Sequence, residues 1–191
     1  MGKLTSPAQV KLIIGFIFKD EGFLKKSEGI LRRHFGPIDF ESPILPFIYT
    51  DYYQKEFGSG LSRKLISFKK LIPSQQLAAI KILTNKIENK FSLKNQRKIN
   101  IDPGYLTMAK LVLASTKDYS HRIHLNKGIF AEITLTYQNK NFQPREWTYL
   151  DYRTTEYIEI FNQIRKIYAQ QLKNNGDASI YSDKQNVAKN K

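Results

Sequence analysis

Residues 10–37 read VKLIIGFIFKDEGFLKKSEGILRRHFGP. The first nine, Val10 to Phe18, are almost all apolar, the pattern of a strand covered on both faces. Asp20 stands where an N-cap belongs. Phe23, Leu24, Ile30, Leu31 and Phe35 then recur along one side of a helix that runs to about Phe35. Gly36 and Pro37 stop it, the glycine just past the end and the proline after it. A buried strand feeding an amphipathic helix points to a mixed fold, and the segments after the helix decide which kind.

Ile38 and Phe40 alternate with Asp39 and Glu41, which gives a short strand with one wet face. Pro43 and Pro46 break regular structure, and residues 49–58 read as a loop with one helical turn. Arg63 to Phe68 is a strand. Pro73 and Ser74 open a helix with Leu77, Ile80, Leu83, Ile87 and Phe91 on one stripe and Lys86 and Lys90 off it. Arg97 to Ile101 is again a strand. The first hundred residues therefore run β-α-β-β-α-β, the order of a ferredoxin-like split.

Downstream, Asp102-Pro103-Gly104 suits a turn. Leu106 to Ser115 is open between a short helix and a strand, with helix preferred. His121 to Leu125 and Ile129 to Tyr137 form a hairpin across Asn126-Lys127-Gly128, with Ile129, Ala131, Ile133, Leu135 and Tyr137 on one face. Asn139-Lys140-Asn141 turns into a short strand near Phe142. Thr154 caps a last helix carrying Tyr157, Phe161, Ile164, Tyr168 and Leu172. The expected fold is α+β: a ferredoxin-like βαββαβ start extended by an antiparallel β-meander and a C-terminal helix. One domain is expected over residues 8–172, with a polar, disordered tail over 173–191.

The chain contains no cysteine, which removes disulfides, thiolate catalysis and cysteine metal sites and suits a reducing cytoplasm. The apolar run Leu12 to Phe18 is too short to cross a bilayer, which takes about 20 residues. Net charge is +14, and +9 of it falls between Arg63 and Lys98, where ten basic residues face one acid, Glu88. That window makes nucleic acid an alternative partner. The plainer reading is a solvated face, because the lysine-rich, Asn- and Ile-rich composition matches an AT-rich genome.

Residues 100–123 hold the densest polar chemistry. Thr116-Lys117-Asp118-Tyr119-Ser120-His121-Arg122 offers a hydroxyl, an acid and three basic groups, a set suited to an anion. If the hairpin loop sets register, Arg122 instead pairs across strands with Glu132, with His121 facing Ile133 and His124 on the face of Arg122. The dipeptide Asp-Tyr recurs at Asp51-Tyr52, Asp118-Tyr119 and Asp151-Tyr152. Each is either a polar ligand contact or an acid capping a turn beside a packed ring. Trp147 reads as a core anchor. No G-x-x-x-x-G-K-[ST], G-x-G-x-x-G or G-x-S-x-G occurs, and Thr116-Lys117-Asp118 lacks the spacer residue of the guanine-reading motif. The third strand lacks the aromatic platform of an RNA-recognition motif. No metal site is expected: His121 and His124 would point to opposite faces of a strand, and spacing gives no support to a mixed site of Asp102, Asp118 and His121.

Phe35-Gly36-Pro37-Ile38-Asp39, Thr50-Asp51-Tyr52-Tyr53 with Glu56 and Gly58, Asp102-Pro103-Gly104-Tyr105, Lys110-Leu111-Val112-Leu113-Ala114, Thr116-Lys117-Asp118-Tyr119 with His121-Arg122-Ile123, Ala131-Glu132, and Trp147-Thr148-Tyr149 before Asp151-Tyr152-Arg153 form an ordered string of motifs. In these the chain resembles the family catalogued as domain of unknown function 4416, over about Lys11 to Tyr168. The resemblance implies a small cytoplasmic bacterial protein. Members have been labelled GTP-binding, a label these motifs do not support, and the family supplies no established catalytic residues. Its members carry more acids along the second helix, where this chain has Lys and Gln, so the basic window is particular to this chain.

The functional expectation is a small anionic ligand, a nucleotide or sugar phosphate. Lys110, Lys117, His121, Arg122 and Arg153 would take the anion, while Asp51, Asp102, Asp118, Tyr52 and Tyr105 would take polar atoms. His121 is the proton carrier of any catalysis, oriented by Asp118 or Asp102. A partner-binding protein with no small ligand is the remaining alternative. The sequence names no cofactor and no oligomeric state.

Overall fold

Strand β1 (Lys11–Phe18) is the element around which the others assemble. The computed structural model describes residues 7–50, 53–93 and 96–175, and every residue of β1 is buried within it. Leu12, Ile14, Phe16 and Phe18 pack against Leu24 and Leu31 of α1 (Glu21–Phe35) and against Ile80 and Ile87 of α3 (Leu77–Lys90). Ile13 points the other way, into Tyr157, Phe161, Ile164 and Tyr168 of α4 (Thr155–Asn174). Each such side chain contributes about 1.5–3 kcal/mol of burial, which is why a continuous apolar run becomes a central strand. The helices begin where the caps place them. Asp20 Oδ1 accepts from the Gly22 amide at 2.6 Å, and Thr154 Oγ1 accepts from Tyr157.

Among the described residues the strands form one antiparallel sheet. Its order is β2 (Ile38–Glu41), β4 (Ser62–Phe68), β1, β5 (Ile99–Leu106), β6 (Lys110–Ser115), β8 (Ile129–Gln138) and β7 (Ile123–Asn126). The short β3 (Leu45–Pro46) joins β4, and β9 (Asn141–Pro144) joins β8. The quartet β2-β4-β1-β5, with α1 and α3 on one face, is the ferredoxin-like half. The meander β6-β8-β7 with β9 extends it, and the C-terminal α4 covers the opposite face. The α+β class read from the sequence is the observed one. One helical turn, α2 (Gln54–Phe57), lies in the loop before β4.

Three local expectations change. Asp102-Pro103-Gly104 is not a turn but the middle of β5. Pairing of β5 with β6 covers only Gly104 to Leu106, so Pro103 lies where the outer edge of the strand has no neighbour. Leu106 to Ser115 is not a helix. Thr107 to Ala109 turn the chain, with Thr107 Oγ1 accepting the amides of Ala109 and Lys110, and β6 returns beside β5. Leu111 to Ala114 are all buried, so no alternation was there to identify a strand.

The third change has the largest consequence. Leu113 opposes Glu132 and Val112 opposes Ile133, yet Leu111 opposes Leu135, so Thr134 is one residue extra on β8. Ile129 and Ala131 therefore pack beside Leu77 and Ala78 of α3, whereas Leu135 and Tyr137 turn to the α4 face. The expected single apolar face is split in two. The bulge leaves Glu132 buried on the α4 side, opposite Leu113. The β7–β8 turn is the pair Lys127-Gly128, both at positive φ, and β7 begins at Ile123, so His121 precedes the strand.

Candidate functional site

Beyond Gly104 the strands β5 and β6 separate. At Gly104 they touch: a Cβ there would lie 2.5 Å from the Val112 carbonyl oxygen and 2.6 Å from Leu113 Cδ2, so only glycine allows the approach. Past that pivot the outer edge of β5 has no strand beside it. Helix α3 completes it instead. Glu88 Oε1 accepts from the Ile101 amide at 2.6 Å, and Lys81 Nζ donates to the Ile101 carbonyl at 3.1 Å. Lys81 and Glu88 are seven residues apart and so share one helical face. The gap left by the splay is a cleft of about 870 Å³, walled by α3, β5, the end of β6 with the loop after it, residues 147–153 and the loop before β4.

At its base lies Arg63 of β4, fully enclosed. Its Nη1 is 2.9 Å from Asp151 Oδ2, its Nη2 donates to Tyr152 Oη at 2.6 Å, and the guanidinium lies over the rings of Tyr152 and Phe47. Gly15 of β1 leaves the room, since a Cβ there would meet Tyr152 Oη and Arg63 Nη2 at 3.2 and 3.3 Å. Burial works against the Arg63 charge, but Asp151, aided by Tyr152 and Asp102, outweighs it and holds the guanidinium more firmly protonated than a free arginine.

One wall is a chain of ion pairs. Arg97 grips Glu56 with two bonds of 2.7 Å and donates from Nη1 to Glu88 and Asn100, both at 2.9 Å. Asn100 passes a 2.6 Å bond to Asp102 Oδ2, and Lys81 Nζ is 3.4 Å from Asp102 Oδ1. The Asp102 side chain is 25% exposed, the open carboxylate of the cleft. Burial raises the Glu88 pKa above the usual range, against the pull of Lys81. Burial first, with nearby carboxylates adding to it, likewise keeps the phenols of Tyr53 and Tyr149 protonated; Asp102 acts on both and Glu132 on Tyr149.

The opposite rim is built on Glu132. Its Oε2 takes Arg122 Nε at 2.7 Å and lies 3.3 Å from His121 Nε2, and its Oε1 takes Thr134 Oγ1 at 3.2 Å. Arg122 also donates to Ser115 Oγ, the Lys117 carbonyl and Tyr149 Oη, and it covers the ring of Tyr119. The ion pair anticipated across the hairpin is present. Arg122 is thus a 3% exposed organiser of the loop rather than a mobile cation. His121 stacks flat on Trp147, with centroids 5.1 Å apart, and the Trp147 Nε1 donates to the Ile133 carbonyl. Arg153 is anchored to the carbonyls of Thr148 and Glu146 through Nε and Nη2.

Of the residues chosen from sequence, Asp102, Lys117, Arg122 and Arg153 line this cleft. Asp51 and Tyr52 lie outside the described residues. Tyr105 is elsewhere: its ring packs with the α3-side cores, where burial raises its phenol pKa. Lys110 sits at the far end of β6, opposite Thr136. Asp118 is exposed on the loop, and the acid beside His121 is Glu132, not Asp118 or Asp102.

Sequence reasoning missed Arg63, Lys81, Glu88, Arg97 and Asn100 as site residues. Lys81 and Glu88 carried a readable signal, since both fall on a buried face of α3, where an unpaired charge is costly. Among the described residues no three His, Asp or Glu gather to hold a metal ion, and no helix is long and apolar enough to cross a membrane. No curated protein and no solved structure matches the chain. A family model does match, over residues 8–168, and by that match the chain belongs to the family described as Domain of unknown function (DUF4416).

Proposed function

We propose that the cleft binds a small anionic metabolite, a nucleotide or a sugar phosphate, in the cytoplasm of a bacterium, within a single domain spanning residues 8–172. The observation that carries this reading is the gathering of Asp102, Lys117, Arg122 and Arg153, from three separate regions of the chain, around one cavity. Its volume falls within the range of small-molecule sites. Arg153 is the best-prepared anion donor. Two carbonyls fix its guanidinium, and Nη1 has no hydrogen-bond partner among the described residues. Should the ligand react, the proton carrier of this reading is His121, which does not line the cavity itself but stands beside it, stacked on Trp147 and 3.3 Å from Glu132.

The nucleic-acid alternative loses much of its motive. Of the ten basic residues in the 63–98 window, Arg63, Lys64, Lys81 and Arg97 are tied to Asp151, to Glu28 and Glu41, to Asp102, and to Glu56 and Glu88. Most of those acids lie outside the window, so the linear count overstates the field it projects. The test is a thermal-shift screen of the wild type against phosphorylated metabolites, repeated with Lys117→Ala and Arg153→Ala. A ligand-dependent shift of several degrees, reduced in both variants, is expected. No shift with any anion would overturn the reading. A gel shift on duplex and single-stranded nucleic acid that weakens steeply with salt would move the assignment to nucleic acid.

A further inference from the structure

We infer that the ligand of this cleft is a phosphorylated polyol of sugar size and not a nucleotide; the inference rests on the anion-binding reading above. A nucleobase stacks best on a free flat face, and each aromatic side chain lining this cleft touches a cation or another ring. Tyr49 meets Tyr157 in an edge contact, and the part-exposed Tyr149 meets Tyr152 in another while its hydroxyl accepts from Arg122. Arg63 covers Phe47, and Arg122 covers Tyr119. Trp147 carries His121 stacked on it, with Arg145 also over its ring. Tyr53 is held edge-on or tilted between Phe47 and Phe57. A base stacking on Phe47, Tyr119 or Trp147 would compete with a cation–π contact or a stacked ring.

The cleft offers a sugar what it withholds from a base. Asp102 accepts one bond on each oxygen, from Lys81 and Asn100, so each oxygen keeps a second lone pair for a hydroxyl. Asn85 and Asn89 of α3 line the same wall, and their side chains make no hydrogen bond among the described residues. A carboxylate flanked by amides is a matched acceptor and donor set for vicinal hydroxyls. The phosphate end would go to Lys117 and Arg153. The site is thus bipolar, with hydroxyl recognition on the α3–β5 wall and anion recognition on the loop opposite.

The test is isothermal titration of the full chain with glucose 6-phosphate, ribose 5-phosphate, glucose, inorganic phosphate, AMP and GMP. One of the sugar phosphates is expected to bind at least about tenfold tighter than glucose, inorganic phosphate and either nucleotide. Asp102→Asn should weaken it roughly 10- to 100-fold, the loss of a charge-assisted hydrogen bond, while inorganic phosphate binding stays unchanged. Asn85→Ala, which leaves the ion-pair chain whole, should weaken the sugar phosphate alone in the same way and guards against a fold defect in the first variant. Tighter binding of AMP or GMP would overturn this inference and leave the anion-binding reading standing. Equal weakening of phosphate and sugar phosphate in both variants would also overturn it. Silence of every anion would remove both.

Discussion

Arg97 holds two carboxylates that titrate in opposite senses. Its hydrogen bonds keep Glu56 ionised below the usual glutamate range, whereas burial pushes Glu88 above it even though Arg97 and Lys81 pull the other way. A depressed carboxyl pKa contributes stability that is present above the unfolded value and lost as pH falls through the folded one. A raised one does the reverse: the folded protein keeps its proton longer than the unfolded chain, so stability falls as pH rises from the ordinary value through the raised one. Glu56→Gln should therefore flatten the acid side of a urea-midpoint against pH curve, and Glu88→Gln should remove a decline at higher pH. Changes of the same sign in both variants would disprove the assignment. At the cleft base, Asp151→Asn strands the enclosed Arg63 charge and should cost about 3–5 kcal/mol by chemical denaturation. Combining it with Arg63→Met should recover much of that loss, because the stranded charge goes too.

At the scale of elements the cleft depends on where pairing stops. Gly104→Ala drives a Cβ into the Val112 backbone carbonyl, which cannot rotate away, so the β5–β6 contact must open. A loss of about 1–3 kcal/mol is expected in urea. Gly29→Ala, inside α1 with nothing within 4 Å, should instead gain about 0.5–1 kcal/mol and serves as the control. A Gly104→Ala protein as stable as the wild type would deny the pivot.

The helices were legible in the sequence because local chemistry settles them: Asp20, Gly36 and Thr154 cap them, and apolar stripes choose their faces. The βαββαβ order came from the same signals. What could not be read was decided by partners distant in the chain. β6 is apolar on both faces, so periodicity said nothing about it, and β5 carries Pro103 and Gly104 mid-strand because β6 meets it only briefly. The extra residue at Thr134 left no mark in the alternation of β8, yet it turns Glu132 to the face where Arg122 and His121 meet it. The candidate site was half legible for the same reason. Its loop residues stood out as a dense polar cluster and Lys81 and Glu88 showed only as charges on the buried face of α3, while Arg63 was hidden among the core positions of β4.

Across the whole molecule, the ferredoxin-like quartet and the meander share only three residue pairs of ladder, Gly104 to Leu106 with Leu111 to Leu113. So thin a seam raises the question of whether they unfold together. Helix α4 supplies the answer from the other face. Its cluster takes in Ile13 and Leu65 from the quartet and Leu111, Leu135 and Phe142 from the meander, with Phe161 packed edge-on against both Phe142 and Tyr152. Burial shared in this way makes α4 the strap that couples the halves, and a coupled pair unfolds in one transition. Trp147, the single tryptophan, reports on the meander side through its bond to Ile133 and its stack with His121. In urea its fluorescence should therefore change at the same midpoint as the far-ultraviolet circular dichroism, which averages over all the helices. Phe161→Ala should cost about 3–5 kcal/mol of stability and lower that common midpoint for both probes together. A tryptophan transition that precedes the loss of helix in the wild type would show that the meander is a separate unit and that the cleft lies between two cooperative bodies.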